Sequence, residues 1–344
     1  MEAGVLTAPN DLTLQTISDP VMEIGDLLLK VKAATICGTD IRIFRGRKTA
    51  GIRYPSVLGH EFSGEIVENG GHAQFAPGDA VCVCPAIACG HCAYCTRGLE
   101  NLCRNLVAIG YQVDGAFAEY IRIPKAAVAA GNVFRMPEGL SWEKAALAEP
   151  LSCVMNGQEK AGVTSGDIVT ILGAGPIGIL HVKLARLSGA STIIVSEPNA
   201  LRREAALRAG ADHVVDPMVE DLSRTVRSLS GDLGADKVIV AIGVPKLAND
   251  ALGLVRHRGT VSLFAGFSAS DTAVLDVNAI HYNEVIVTGS FGLTRLQFER
   301  SLRTIASGRL ELDTMLTHRF ELNKIAEAIA TAEQGHALKV AVLN

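Results

Sequence analysis

Residues 168–178 read IVTILGAGPIG, an apolar run that leads directly into a glycine-rich turn. The run predicts a buried β-strand, and ILHVKLARLSG, which follows it, predicts an amphipathic helix. A strand, a GxGxxG turn and a helix in this order favour a phosphate-binding turn for a dinucleotide over an ordinary glycine-rich turn. Three glycines would form the turn, admit the pyrophosphate and let the helix pack closely on the strand. The candidate cofactor residues of this turn are Gly173, Gly175, Pro176, Ile177 and Gly178.

The next apolar stretch, TIIVSE, ends in Glu197. A carboxylate at the end of the second strand can accept hydrogen bonds from the adenosine ribose and repels a 2′-phosphate, which favours NAD over NADP. Arg202 follows five residues later. It would either lie against the adenine or weaken the preference for NAD.

Strand-like and helix-like stretches alternate from residue 167 onward. This alternation predicts an α/β fold whose doubly wound parallel sheet is a Rossmann domain. The predicted strands are 168–172, 192–197, 212–216, 237–242, 260–266 and 285–290, and the predicted helices include 177–188, 199–209 and 246–257.

The part of the chain before residue 130 is different, because short alternating strands and turns predict a β-rich, barrel-like lobe. Its predicted strands are 26–32, 62–68, 80–84 and 117–123. Residues 141–160 are helix-like, and the last fifty or so residues predict helices and a closing strand at 339–343.

Composition excludes several classes of function. The chain has 344 residues, 48% of them hydrophobic, and a net charge of −4. That charge disfavours nucleic acid as a partner. No apolar run approaches the roughly 20 residues that cross a bilayer, and residues 1–12 lack the features of a secretory signal. We therefore expect a cytoplasmic protein that binds no membrane.

Four of the eight cysteines lie within one stretch of 15 residues. Their short spacings let four thiolates surround one ion, and a complete set of four leaves no open position for chemistry. The pattern predicts a structural zinc site, with buried free thiols or an iron–sulfur cluster as the alternatives. The four cysteines are Cys89, Cys92, Cys95 and Cys103.

Further candidate ligands are scattered, namely Cys37, His60 with Glu61, and Glu149. Spacing alone does not join them. Taken one at a time, each is more often a core thiol, a turn histidine or a helix-surface carboxylate.

The order of these motifs carries a resemblance over nearly the whole chain. The sequence resembles the zinc-dependent medium-chain dehydrogenases, especially their polyol (sorbitol-like) and threonine dehydrogenase branches. The matching stretches are Cys37–Asp40, Gly59–Glu61, the cysteine stretch 89–103, DGAFAEY at 114–120, Glu149–Leu151 and Gly173–Gly178.

The resemblance implies a GroES-like catalytic domain over 1–150 and 291–344, and an NAD-binding domain over 151–290. It implies a catalytic zinc held by Cys37 and His60, with Glu149 bound either directly or through a water. Glu61 would lie near the metal and Thr39 beside the alcohol oxygen. By the same resemblance, Ala265, Gly266, Ser290 and Phe291 would lie near the nicotinamide.

One position departs from many relatives, which carry a proton-relaying histidine where this chain has Arg42. Arginine stays protonated and cannot act as a base. Its alternatives are binding of cofactor phosphates, binding of an anionic part of the substrate, or an ordinary surface ion pair.

The sequence thus predicts a zinc enzyme that transfers hydride between NAD and a secondary hydroxyl of a polyol, giving a ketose. It would carry two zinc ions per chain and form a homotetramer, with a dimer as the alternative. The competing enzymes are an L-threonine 3-dehydrogenase and a dehydrogenase of phosphorylated polyols. A zinc-stabilised nucleotide-binding protein without chemistry is the alternative outside enzymes.

Overall fold

The structure is a computed structural model that describes residues 1–268, 271–335 and 337–344. The chain forms two compact units. The first comprises Met1–Ser152, Leu293–Gly308 and Leu312–Asn344, and the second comprises Cys153–Gly292 and Arg309–Glu311.

Strands and helices are numbered along the chain. The strands are β1 (Glu2–Ala8), β2 (Asp11–Thr16), β3 (Leu27–Thr35), β4 (Ser56–Val57), β5 (Glu61–Asn69), β6 (Ala80–Val83), β7 (Ala86–Ile87), β8 (Val107–Ala108), β9 (Tyr120–Ile123), β10 (Val133–Arg135), β11 (Ile168–Leu172), β12 (Thr192–Ser196), β13 (His213–Val215), β14 (Ala235–Val240), β15 (Val255–Leu263), β16 (Ile286–Gly289), β17 (Leu316–Glu321) and β18 (Lys339–Leu343). The α-helices are α1 (Gly38–Phe44), α2 (Lys125–Ala130), α3 (Trp142–Ala146), α4 (Ala148–Ala161), α5 (Pro176–Leu187), α6 (Ala200–Ala209), α7 (Leu222–Leu229), α8 (Pro245–Asp250), α9 (Val277–Tyr282), α10 (Arg295–Ala306) and α11 (Ile325–Glu333). Short 3₁₀ turns cover Cys95–Arg97, Glu100–Leu102, Ala251–Gly253, Asp313–Met315 and Leu322–Lys324.

The second unit is built on a parallel sheet of order β13-β12-β11-β14-β15-β16. The last four residues of β11 and of β12 are all buried, so both faces of the sheet are covered there. Helices α5 and α6 connect these strands as the crossovers that parallel pairing requires. The prediction of a Rossmann-type parallel sheet is confirmed.

The predicted helix over 246–257 is wrong in its second half. Helix α8 ends at Asp250, a 3₁₀ turn covers Ala251–Gly253, and β15 already starts at Val255. Tertiary structure overrides the local pattern here, because Ala235 at the start of β14 pairs with Val255. Residues from 255 onward are therefore part of the sheet instead of a helix.

The first unit is mainly antiparallel. One sheet has the order β10-β6-β5-β3-β18-β17 with β9 also paired to β3, and another has the order β2-β1-β4. Phe62, Phe117 and Ile66 are buried in its core with apolar side chains from both sheets. This confirms the β-rich lobe and the closing strand at 339–343.

Two predictions in this unit need correction. The predicted strand over 117–123 is reduced to β9, because the Phe117 N–H donates to the Leu58 carbonyl in the turn before β5 instead of to β3. The helix-like stretch 141–160 is divided at Leu147 into α3 and α4.

Among the described residues, no helix is both long enough and apolar enough to span a bilayer.

Candidate metal centres and cofactor-binding edge

The first candidate metal centre lies where β3 ends and β5 begins. Antiparallel pairing of Thr35 with Glu61 places the chain just after β3 beside the chain just before β5. Cys37 is the N-cap of α1, and His60 is the residue before β5. One ligand atom each from Cys37, His60 and Glu61 lie within 4.8 Å of one another. A thiolate, an imidazole and a carboxylate are a donor set that suits zinc.

The buried carboxylate of Asp40 holds the first two of these groups in place. Its Oδ2 accepts the Cys37 N–H at 2.9 Å, and its Oδ1 lies 3.2 Å from His60 Nδ1. A carboxylate on Nδ1 orients the imidazole and leaves Nε2 as the metal-binding atom. The Thr39 N–H also points at Cys37 Sγ, at 3.5 Å. No role was predicted for Asp40, although Cys-x-x-Asp at the start of a helix resembles a capping box, which the structure confirms.

Glu61 is completely buried and is held by Lys339, which is buried as well. Lys339 Nζ donates to Glu61 Oε1 at 2.7 Å and to the carbonyl of Ile36 at 3.0 Å, while Thr35 Oγ1 donates to Glu61 Oε2. Burial by itself lowers the pKa of Lys339, but the negative charges of Glu61, Cys37 and Glu149 and the hydrogen bond to Glu61 together offset this, so the lysine pKa is raised. Lys339 reaches the site because β18 pairs with the end of β3.

Glu149 lies in the first turn of α4 and is buried. It does not belong to the set of ligand atoms within 4.8 Å of one another. Its charge nevertheless contributes to the raised pKa values of Lys339 and Tyr111, which places it in the surroundings of this centre.

Tyr111 covers His60 on the side of Nε2. Its hydroxyl lies 3.5 Å from His60 Nε2, and the two ring centroids are 5.1 Å apart. Burial raises the pKa of Tyr111, so the phenol stays neutral. No motif marks this tyrosine in the sequence, because it reaches the site from a loop far away in the chain.

The DGAFAEY motif supports the turn that carries His60. A Cβ at Gly115 would lie 2.3 Å from the carbonyl oxygen of Gly59, so only glycine permits this approach. Gly59 itself has a φ of +95°, and Asp114 Oδ1 accepts the Val57 N–H at 2.9 Å. The motif therefore has a structural role at the metal centre.

The second candidate centre is the cysteine stretch. The distance from Cys95 Sγ is 3.5 Å to Cys92 Sγ and 3.9 Å to Cys89 Sγ, and Cys92 Sγ lies 4.0 Å from Cys103 Sγ. Tetrahedral zinc with bonds of about 2.3 Å requires sulfurs about 3.8 Å apart. Backbone N–H groups, first that of Cys95, lower the pKa of Cys92 to about 6, which favours the thiolate. The geometry fits a closed zinc site.

Residues predicted to bind the cofactor lie along the carboxyl edge of the parallel sheet. They follow β11, β12, β15 and β16, and the carboxyl ends of parallel strands form one edge. The Ser290 hydroxyl is buried and has no hydrogen-bond partner within the described residues. Ala265 is held at this edge by its N–H, which donates to the Val240 carbonyl at 3.0 Å. Gly266 follows Ala265 in the chain, and Phe291 follows Ser290.

The glycine turn has the shape that a pyrophosphate needs. A Cβ at Gly178 would lie 2.0 Å from the Gly173 carbonyl oxygen, whereas a Cβ at Gly175 would meet no atom within 4 Å. Gly173 has a φ of +99°, and Pro176 is the first residue of α5, followed by Ile177. The space in front of Gly175 is where a phosphate could approach the N-terminus of α5.

Glu197 is buried directly behind this turn. Its Oε2 accepts the Ala174 N–H at 2.8 Å, and its Oε1 accepts the Asn199 N–H at 3.0 Å. Each oxygen keeps a second acceptor position for a ligand hydroxyl. Arg202 Nε is buried without a partner in the described part of the chain.

Known proteins that are similar to this chain include dehydrogenases that bind zinc, in agreement with the two candidate metal centres. The family model of the alcohol dehydrogenase GroES-like domain matches residues 23–135, and that of the zinc-binding dehydrogenases matches residues 176–307. An L-threonine 3-dehydrogenase of Pyrococcus horikoshii is 36% identical, covering 92% of this chain and 90% of its own length. The chain belongs to the zinc-dependent medium-chain alcohol dehydrogenase family. A sorbitol dehydrogenase of Bacillus subtilis is 31% identical over 99% of this chain and 97% of its own.

Solved structures of the family have the same fold. A zinc-binding dehydrogenase of Sinorhizobium meliloti bound to NADP superimposes with a TM-score of 0.92 at 34% identity, covering 100% of this chain and 99% of that one. The protein is therefore a zinc-dependent, nicotinamide-dependent dehydrogenase that acts on a hydroxyl group of a small molecule. The predicted family, fold class and cofactors are confirmed.

Proposed function

We propose that this dehydrogenase oxidises a secondary hydroxyl of a polyol to the ketone, with NAD as acceptor. The observation that carries the proposal is the donor set of Cys37, His60 and Glu61, with Glu149 in its surroundings. One thiolate among carboxylates makes an oxygen-rich site, which suits polar, hydroxyl-rich substrates. The sorbitol dehydrogenase among the relatives supports the same substrate class.

In this proposal, Cys37 and His60 are the ligands of the catalytic zinc, and Glu149 completes the set directly or through a water. When bound, zinc supplies the Lewis acidity that lowers the pKa of a substrate hydroxyl, and NAD accepts the hydride. Asp40 keeps His60 oriented, and Thr39 places its hydroxyl beside the substrate oxygen. Glu61, held by Lys339, would lie beside the bound metal and could replace its water or the substrate oxygen there.

Residues 1–150 and 291–344 form the catalytic domain and residues 151–290 the NAD domain in this proposal. Glu197 accepts hydrogen bonds from the adenosine ribose and disfavours NADP. We expect Glu197→Gln to weaken NAD binding and to narrow the ratio of NAD to NADP affinity, measured by fluorescence titration. An unchanged ratio would remove Glu197 from cofactor selection.

A panel of substrates tests the reaction. Sorbitol and other alditols, phosphorylated alditols and L-threonine are incubated with NAD while NADH absorbance is followed. The proposal expects turnover of a polyol, with Cys37→Ser abolishing it and removing one of two zinc ions per chain. If L-threonine were the only substrate oxidised, the polyol proposal would be wrong. The enzyme would then be assigned the activity of its Pyrococcus relative, an L-threonine 3-dehydrogenase. Full activity of Cys37→Ser would refute the metal assignment.

The location and assembly of the enzyme are also proposals. We infer a cytoplasmic homotetramer, with a dimer as the alternative. The support is β16, which ends the strand order of the parallel sheet and whose first residue, Ile286, is 58% exposed. An exposed strand edge with apolar side chains is a ready site for pairing with a second copy.

A further inference from the structure

Two positively charged side chains lie beside the candidate metal centre. The N–H groups of Arg47 and Lys48 donate to the Arg42 carbonyl at 2.8 and 3.1 Å, so the chain after α1 folds back onto that helix. Lys48 Nζ lies 4.6 Å from the centroid of the Tyr111 ring, whose hydroxyl is 3.5 Å from His60 Nε2. One aromatic ring therefore separates the Lys48 ammonium from the nitrogen that we assign to zinc.

Within residues 1–268, 271–335 and 337–344, neither Arg42 nor Lys48 forms an ion pair, although both are partly buried. Arg45, which lies between them in the chain, differs in this respect because it forms an ion pair with Glu333. Burial, and then the charge of Arg42, lower the pKa of Lys48, while Cys37 opposes them. Two partly buried cations that repel each other are unfavourable, and an anion bound by both relieves that cost.

We propose that Arg42 and Lys48 bind an anionic group at one end of the substrate, a carboxylate or a phosphate. The preferred substrates would then be polyhydroxy acids or phosphorylated polyols rather than uncharged alditols. This inference rests on the proposed polyol dehydrogenase activity and specifies its substrate class.

The chemistry of the two side chains suits this role. The planar guanidinium of Arg42 can donate two parallel hydrogen bonds to a carboxylate or phosphate, and the Lys48 ammonium adds a compact charge. An anion held by them anchors one end of an extended substrate, and its hydroxyl groups can lie along Tyr111 toward Cys37 and His60. Neither residue can serve as a base while it is charged.

The test compares matched substrates: sorbitol, gluconate and sorbitol 6-phosphate, with further sets of other configurations. For the wild-type enzyme, we expect kcat/KM for an anionic member to exceed that for its alditol at least tenfold. Lys48→Met keeps the length of the side chain and removes its charge. It should lower that ratio by roughly tenfold to a hundredfold, because a charged hydrogen bond is lost.

Three controls accompany this variant. Arg47→Met removes an exposed cation next to Lys48 and should leave the ratio unchanged. Lys48→Arg keeps the charge and should keep most of the preference, even if Lys48→Met folds poorly. Calorimetric titration of the zinc-loaded enzyme with the anionic substrate, without NAD, should show the same loss of affinity in Lys48→Met.

Equal kcat/KM for alditol and anion in the wild type would overturn the inference and leave the polyol dehydrogenase proposal standing. A loss of NAD affinity in Lys48→Met with an unchanged substrate ratio would also overturn it, since the cations would then serve the cofactor. If no polyol is oxidised, the proposed function fails, and the calorimetric titration still decides whether these residues bind the anion. Within each set, a higher kcat/KM for the sugar acid would show that the bound anion is a carboxylate, and a higher kcat/KM for the phosphorylated alditol would show that it is a phosphate.

Discussion

At Gly178, a hydrogen atom in place of a methyl group lets α5 start against the end of β11. The Cβ that any other residue would add lies 2.0 Å from the Gly173 carbonyl oxygen, a distance that no packing rearrangement of a side chain relieves. Gly175, three residues earlier, has an ordinary φ of −67° and open space in front of it. The two glycines of the turn therefore serve different purposes, one for packing and one for ligand access.

Alanine substitutions separate these purposes. Gly178→Ala should destabilise the protein by about 1–3 kcal/mol, because an extra methyl group forces the backbone apart. Gly175→Ala should keep the wild-type melting temperature but weaken NAD binding, because its methyl group fills the space in front of the helix. Thermal unfolding and NAD titration of both variants check this. Loss of stability in Gly175→Ala, or its absence in Gly178→Ala, would contradict it.

Some site residues could be predicted from the sequence and others could not. Gly173, Gly175 and Gly178 could be assigned from the sequence because their roles depend on neighbours within six residues. Asp40, Tyr111 and Lys339 could not, because each acts through a partner brought close by strand pairing or by a loop. A buried lysine that contacts Glu61 across 278 positions leaves no pattern in the sequence.

At the scale of elements, α5 is unusual in burying a histidine among apolar residues. His181 is completely buried, its ring packs edge-on against Phe264 at 4.5 Å, and Gln158 Nε2 lies 3.4 Å from its Nδ1. Burial lowers the pKa of His181 to about 3, so the folded protein holds a neutral imidazole.

This histidine predicts a pH dependence of stability. The unfolded chain takes up a proton near pH 6.5, but the folded chain does so only near the lowered value. Between these values the unfolded state binds more protons, so His181 makes the protein less stable as the pH falls. The loss in melting temperature from pH 7 to pH 5 should be smaller in His181→Gln than in the wild type. The exposed His257→Gln should behave like the wild type, and equal losses in all three proteins would refute the assignment.

The cysteine stretch has little core of its own, and its four sulfurs lie together. Within it, only Asn101 and Cys103 are buried among residues 89–103, all of which the structure describes. Glu100 ties it to the start of α10, accepting from Arg295 Nε and from the Arg295 N–H at 3.1 Å.

Removal of one of its four thiols tests whether the stretch is a structural zinc site. Cys103→Ser should lower the zinc content from two ions to one per chain and lower the melting temperature by several degrees, because a structural zinc site contributes to folding. NAD affinity should stay close to that of the wild type. Cys37→Ser is the matched variant, which should also lose one zinc but keep the melting temperature. Metal analysis and thermal unfolding check this, and equal melting temperatures for the two variants, or two zinc ions retained in either, would contradict it.

At the scale of the whole molecule, the proposed homotetramer places the contact between copies at the free edge of the parallel sheet, on β16. Ile286→Lys on β16 should shift the protein to smaller species in light scattering coupled to gel filtration, because a charge on a strand edge opposes pairing. Leu207→Lys is the control, since Leu207 is 46% exposed on α6. An unchanged mass for Ile286→Lys would exclude this edge as the interface.

The sequence by itself determined the α/β class, the family, the glycine turn and the four-cysteine stretch, because these depend on local periodicity and on ligands close together in the chain. Only the tertiary structure decided which distant side chains meet. Pairing of Thr35 with Glu61 and of Ala341 with Thr35 brings Cys37, His60 and Lys339 to one place. Closing these long loops costs conformational entropy, which burial of the strands offsets. No local sequence pattern indicates which strand will pair with which.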